Sequence, residues 1–422
     1  MRHRLDVLCV ASRAVRWPKG HDLGLLVRQL FESSKLRTSG AFIAAAVAFA
    51  VANLLFAHHL QPTVYGVLAL MVAIAAVGGP LAPLGLAIMV VRHRTPADRR
   101  LLLYCLGTST LVAIASAAVG GVAYGLAPAE LVAVAVAVGG GGFIRLAAGI
   151  LQSEERFIAS TLVSESANYL LLAAALIGIA TGTTMALLPF ALVAVAQLVL
   201  AGAVWVRLMT EQKATQQPAK AMRLSEMLLL TGTAAATLVQ AQVERFAIPM
   251  FLNLEDLAAF AVLAVFTIAP FRPIEFSTYR MLFPKLRRPG TSIERRELFL
   301  KEVVQTSLLL LGIGLGLAVV TPLVLGYLFA GKYHFGIGAI LAGIVGGQLR
   351  VARSLVSAAI SALADQQGLA MWTVAAWLSV GVAFLGGWVG SAWGFEGFLW
   401  GVALGWVANI AFTVPVVVPH LR

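Results

Sequence analysis

Apolar residues run in twelve long stretches along the 422-residue chain, at 40–57, 65–91, 101–123, 130–151, 161–181, 185–206, 227–251, 257–283, 303–329, 337–363, 369–390 and 395–416. Each is close to the roughly 20 residues a helix needs to cross a hydrocarbon core about 30 Å thick. Barrel strands are excluded, because they need only about 9–11 residues each, whereas these runs are far longer. Backbone groups in lipid must also be satisfied within the segment, which a helix does unaided. The pattern predicts an all-α integral membrane protein with about 12 transmembrane helices. The hydrophilic stretch 207–226, with Glu211-Gln212-Lys213 and Gln216-Gln217-Pro218, divides them six and six. That predicts an N-terminal lobe over 40–206 and a C-terminal lobe over 227–416, with a basic segment at 1–39 and a tail at 417–422.

Composition agrees with this pattern and narrows the class. Hydrophobic residues make up 60% and charged residues 12%, with a mean hydropathy of +0.89, values outside the range of a soluble protein of this length. The net charge of +12 would suggest nucleic acid in a soluble chain, but here its distribution reports topology. Of the 31 Lys and Arg residues, 24 lie before the first stretch, in the loops after the second, fourth, sixth and eighth, and at Arg422, whereas the opposite loops hold Lys332 alone. The positive-inside rule then puts both termini in the cytoplasm. The first 39 residues lack the pattern of a cleavable signal and read as a retained tail or a basic piece lying on anionic lipid. Cys9 and Cys105 are isolated and imply neither a disulfide nor a metal framework.

Charge and proline inside the apolar stretches carry the candidate chemistry. Ala269-Pro270-Phe271-Arg272-Pro273-Ile274-Glu275 places ionisable residues in mid-stretch, where a charge costs roughly 2.5–3.5 kcal/mol on insertion scales. Pro270 and Pro273 repeat, at an offset of 190, the Pro80 and Pro83 of the second stretch, so equivalent helices of the two halves are both kinked. Paired interrupted helices are what a rocking transporter uses near its substrate. Gly343 and Gly347 form a small-xxx-small pattern that reads as close helix packing. Glu154, Glu155 and Glu165 read as interfacial, and His58-His59 as a solvated loop pair.

Several motifs, taken in order, resemble one family. Leu60-Gln61-Pro62-Thr63-Val64-Tyr65-Gly66 with the following apolar helix and Leu84-Gly85-Leu86 resembles the first helical hairpin of bacterial polysaccharide flippases. Gln242-Val243-Glu244-Arg245-Phe246 with Phe251-Leu252 and Phe260 resembles their seventh and eighth helices, and Phe283-Pro284-Lys285-Leu286 the end of the eighth. Leu325-Gly326-Tyr327-Leu328-Phe329-Ala330-Gly331-Lys332-Tyr333 and Gly394-Phe395-Glu396-Gly397 resemble later connections of the same family. The chain departs from the family at its long basic N-terminus and at Glu244, where an Asp is common. The implied group is the O-antigen-translocase branch of the multidrug/oligosaccharidyl-lipid/polysaccharide exporter superfamily, whose fold is two six-helix lobes around a central cavity. The two extra helices of the lipid II branch are absent from the twelve.

The resemblance implies a flippase that moves a polyprenyl-diphosphate-linked oligosaccharide across the bacterial cytoplasmic membrane by alternating access, for surface polysaccharide biosynthesis. Arginine holds diphosphate in a fixed fork while staying protonated, so the cavity is expected to be cationic. Arg272, Arg350, Arg353, Arg245 and Arg145 are the candidate substrate-binding residues. Glu275, Glu244, Pro270, Pro273, Pro80 and Pro83 are the candidate coupling or gating residues. Structural readings stand beside these: Arg272 with Glu275 as a self-neutralising pair, Glu244 and Arg245 as partners across helices, and Arg145 snorkelling to the interface. Arg350 and Arg353, three apart on one helical face, have no carboxylate near them in sequence except Asp365. Membrane lipids, a polysaccharide polymerase and glycosyltransferases are the expected partners, with no nucleic acid. No cofactor, metal site or catalytic residue is expected. The rival readings are a multidrug exporter of the same superfamily, a membrane polysaccharide-assembly enzyme, and a scaffold.

Overall fold

A computed structural model describes residues 34–93, 95, 97–211, 224–287, 291–329 and 331–421. Most of the basic N-terminal segment and the middle of the 207–226 linker therefore lie outside the described residues. The described chain is helical, with no strand. Sixteen α-helices follow in order. The first half contains α1 Ser34–His59, α2 Pro62–Leu81, α3 Leu86–His93, α4 Arg99–Tyr124, α5 Pro128–Ser153, α6 Phe157–Ser164, α7 Ser166–Ala180 and α8 Leu187–Glu211. The second contains α9 Leu224–Ala241, α10 Val243–Phe251, α11 Leu254–Thr267, α12 Arg272–Leu286, α13 Ser292–Phe329, α14 Ile337–Leu363, α15 Gln366–Gly390 and α16 Gly394–Val417.

Twelve apolar stretches become sixteen helices because four stretches are interrupted. Among the described residues 10 helices are long and apolar enough to span a membrane, or 11 if the bent pair α6–α7 is one span. The stretch at 227–251 is the one that falls short of a single span, since it is built from α9 and α10 with a break at Gln242. Prolines explain two interruptions, because proline offers no N–H to the helical ladder. In the second stretch Pro80 ends α2 and Pro83 sits in the turn before α3, where Leu84 and Gly85 have φ of 43° and 80°. In the eighth, Pro270 lies in a 3-10 turn at Ala269–Phe271 and Pro273 in the first turn of α12. The α6–α7 bend of 46° at Glu165 and the break at Gln242 have no proline.

The two halves repeat one plan. α5 packs against α2, α3, α4, α6 and α8 at the centre of the first lobe, and α14, its counterpart, against α11, α12, α13 and α16 in the second. The membrane-length windows of α5 and α14 are 56% and 72% buried, against 17% and 22% for α4 and α13, which places the latter pair on the lipid-facing periphery. The Gly343–Gly347 stripe of α14 does bring helices close. A Cβ at Gly347 would lie 2.4 Å from Phe271 Cδ2 and 2.9 Å from the Thr267 carbonyl, so α14 rests against the end of α11.

The lobes meet chiefly through α2 and α11. At the end carrying Lys332 the contact is tight: a Cβ on Gly66 would stand 2.1 Å from the Leu254 carbonyl oxygen. Lys332 Nζ donates to the carbonyls of Ala57, His58 and Leu60 at 2.7, 3.0 and 2.7 Å, and the Tyr333 hydroxyl to that of Ala57 at 3.4 Å, which caps the C-terminus of α1 from the other lobe. Thr63 Oγ1 donates to Glu255 at 3.2 Å, and the Tyr124 hydroxyl to the Phe246 carbonyl at 3.1 Å. Burial lowers Lys332 from the ordinary lysine range and pushes the Tyr333 phenol up to about 12, so that hydroxyl stays protonated at neutral pH. The cavities between the lobes lie towards the opposite end, the one carrying Arg92 and Lys285.

Candidate functional site

All four interruptions deliver side chains to one place. A cavity of about 230 Å³ between the lobes is lined by Gly79 and Pro80 from the break after α2, Glu165 from the α6–α7 bend, Gln242 and Arg245 from the start of α10, and Arg272 from the start of α12. Irregular backbone is tolerated at membrane depth only where it is buried in protein or lines a cavity, which accounts for this coincidence. At Glu165 the carboxylate accepts from the Asn168 amide at 2.9 Å, and at Gln242 the side-chain carbonyl accepts from Arg245 Nη1 at 3.0 Å. Polar side chains thus occupy the breaks.

Arg272 and Gln242 are shared by three spaces. They line the 230 Å³ cavity, a larger one of about 540 Å³ on the C-terminal-lobe side, and a narrow gap of about 20 Å³ between them that also touches Arg245 and Arg350. The guanidiniums of Arg272 and Arg245 lie 5.5 and 5.8 Å from the Phe49 ring of α1, a cation–π arrangement. Arg272 makes no hydrogen bond or ion pair among the described residues, and Glu275 makes none either. No ion pair joins Arg272 to Glu275, although the charge of Glu275 is near enough to act on Arg272. The two face the same cavity unpaired.

Arg350 departs from its sequence reading in the other direction. Its apparent lack of a carboxylate is corrected by Glu244, 106 positions earlier, which accepts a bond from Nη2 at 2.8 Å through Oε1 and at 2.9 Å through Oε2. Both side chains are buried, at 9% and 6% exposure. Glu244 thus pairs with Arg350 of α14, not with its neighbour Arg245. Trp406 of α16 donates Nε1–H to Glu244 at 3.4 Å and lies beneath Arg350, whose guanidinium is 4.8 Å from a Trp406 ring centroid. The Nε of Arg350 is buried without a partner.

Arg353 shares that helical face and also approaches Trp406, at 5.9 Å. Its bonds go to neutral groups: Nη2 to Thr237 at 3.0 Å and Nε to Asn409 at 3.3 Å, with the Asn409 amide donating to Gln240 and to Ser379, both at 2.8 Å. No carboxylate belongs to this network among the described residues. Arg145, half-buried on α5, lines the 230 Å³ cavity and a third one of about 450 Å³ at the Arg92 end, again with no bonded partner among the described residues. Pro83 is buried in its turn, outside the cavity lining.

All five candidate arginines therefore reach connected spaces between the lobes. Sequence reasoning missed Phe49, Gln242, Trp372 and Trp406, which complete the lining, and it placed at the interface Glu165, which the α6–α7 bend brings into the cavity wall. Glu165 and Gln242 could have been found as polar residues inside apolar stretches. Phe49 and the tryptophans carry no such signal. Among the described residues there is no His, Cys, Asp and Glu group able to hold a metal.

No family model matches the chain, and no curated protein sequence does. Solved structures do match in fold. The lipid II flippase MurJ in an inward closed conformation superimposes with a TM-score of 0.64 at 12% identity, covering 89% of this chain and 86% of that one. An inward-facing multidrug resistance MATE transporter of the MOP superfamily gives 0.65 at 14% identity, covering 89% and 94%. The MATE multidrug transporter DinF-BH gives 0.60 at 14%, covering 93% and 96%. The chain has the transporter fold that MurJ and the MATE proteins share. At these identities the likeness establishes the fold alone.

Proposed function

We propose that the protein is a flippase for a polyprenyl-diphosphate-linked oligosaccharide, carrying its headgroup across the bacterial cytoplasmic membrane through the cavity between the lobes. The observation that supports this most is the convergence of Arg245, Arg272 and Arg350 on one narrow gap where Glu244 is the single bonded counter-charge among the described residues. Arg272, bonded to nothing among the described residues, is left with donors to offer. A diphosphate brings the acceptor oxygens and negative charge that this arrangement lacks. Lipid tails would remain in the bilayer. In this reading the Arg92 end faces the cytoplasm, by the positive-inside rule, and the sealed Lys332 end faces outward.

MATE-like export of organic cations is the second reading, favoured by the shared fold and by Glu165 and Glu275 in the lining. The arginines outnumber those carboxylates and repel a cationic substrate, which ranks this reading second. Translocation in proteoliposomes decides between them. The expected result is movement of a prenyl-diphosphate-linked oligosaccharide, lost in Arg272→Gln, with no accumulation of a cationic rhodamine dye. Transport of the dye and not of the lipid would overturn the proposal.

A further inference from the structure

The 540 Å³ cavity on the C-terminal-lobe side changes character along its length, and its volume falls within the roughly 300–1,000 Å³ of small-ligand sites. Arg272 and Arg350 stand at its deep end. One helical turn nearer the Arg92 end come Glu275 and Arg353, and a further turn brings Tyr279 and Ser357. At 1.5 Å per residue, Ser357 lies about 10 Å along α14 beyond Arg350, which is more room than a diphosphate needs. Trp372 of α15 faces the same part of the cavity.

The arginines at the deep end suffice for a diphosphate, and Trp372 and Ser357 lie beyond the length of one held there, so this end suits a group attached to it. Rings with a polar edge pack against the C–H faces of a pyranose, while hydroxyl and carboxylate oxygens take its hydroxyl groups. Hydrogen-bonding capacity is present and unused: Ser357 and Glu275 have no hydrogen bond among the described residues. An organic cation would also suit a ring beside a carboxylate, but Arg272, Arg350 and Arg353 line the same space and oppose it.

We propose that this end of the cavity is a glycan subsite, which holds the sugar next to the diphosphate with its ring against Trp372 and its hydroxyls on Ser357 and Glu275. The subsite rests on the diphosphate-lipid reading above. It adds an order to the bound headgroup: phosphates deep at the arginines, sugar towards the Arg92 end.

The test is equilibrium binding to the full-length protein in nanodiscs. The probes are farnesyl diphosphate, farnesyl diphosphate carrying glucose, galactose or N-acetylglucosamine, and tetraphenylphosphonium. At least one glycosylated probe is expected to bind about tenfold more tightly than farnesyl diphosphate, a gain in keeping with one stacked ring and its hydrogen bonds. Trp372→Leu and Ser357→Ala should each erase most of that advantage while leaving the affinity for bare farnesyl diphosphate unchanged, and Trp372→Phe should keep it. If farnesyl diphosphate binds but none of the three sugars adds affinity, the subsite is overturned and the diphosphate reading stands. If no prenyl diphosphate binds the wild type, the substrate reading fails and the subsite with it. Tight binding of tetraphenylphosphonium that depends on Trp372 and Glu275 also overturns the glycan assignment, as does loss of all probes in Trp372→Leu, which would make the ring a wall of the cavity and not a sugar contact.

Discussion

Removing the Glu244 carboxylate would leave the Arg350 guanidinium buried against Trp406 with no counter-charge. Breaking one side of a buried pair costs about 3–5 kcal/mol, whereas replacing both partners with apolar residues is often close to neutral. Glu244→Gln is therefore expected to lower the thermal unfolding midpoint markedly in detergent, and the double variant Glu244→Leu with Arg350→Met to recover most of it. Arg272→Gln should behave in the opposite way. Since Arg272 is bonded to nothing among the described residues, its loss should leave the unfolding midpoint almost unchanged and reduce translocation by tenfold or more, equivalent to about 1.4 kcal/mol. The residue scale also shows what sequence could offer. Arg272 and Arg353 were readable as costly charges in apolar helices, but the partner of Arg350 was not, because Glu244 is 106 positions away and only packing of α10 on α14 joins them.

Helix breaks are the organising feature at the next scale. The interruptions after α2 and before α12 were legible as recurring Pro-x-x-Pro segments. Those at Glu165 and Gln242 were not, since neither has a proline and each was buried in a continuous apolar run. The ladder tightens there to i−3 bonds, from Asn168 to the Glu165 carbonyl at 3.0 Å and from Gln242 to the Val239 carbonyl at 3.1 Å, so hydrogen exchange at 164–168 and 241–244 should be faster than in the uninterrupted cores of α5 and α14. Equal protection in all four segments would show that the breaks are no weaker than the continuous helices. Gly66 is the corresponding tight point between elements. Its substitution by Val must displace the Leu254 backbone, because the first atom added would meet that carbonyl at 2.1 Å. In a variant with Cys9 and Cys105 replaced by Ser and Thr63 by Cys, Gly66→Val is expected to raise the rate at which an impermeant maleimide labels residue 63.

For the whole molecule, the contacts of Lys332, Thr63 and Tyr124 hold one end of the lobe interface shut while the cavities collect at the other. A carrier that rocks between two such states must break these contacts in each cycle. A short bis-maleimide joining Thr63→Cys to Glu255→Cys should abolish translocation and leave binding of farnesyl diphosphate intact. Transport that survives the crosslink would show that this end does not open. The sequence by itself determined the membrane class, the helical composition, two of the four helix breaks and the positions of charges, because those follow from segment length, hydropathy and proline placement, all properties of local stretches. Tertiary structure alone decided which charges are partnered, that four helix breaks converge on one cavity with Phe49 of α1, that tryptophans from α15 and α16 line the space beside it, and that Lys332, the lone cation of its loops, seals the lobes. Those outcomes depend on contacts between residues tens to hundreds of positions apart, which no local pattern of polar and apolar residues encodes.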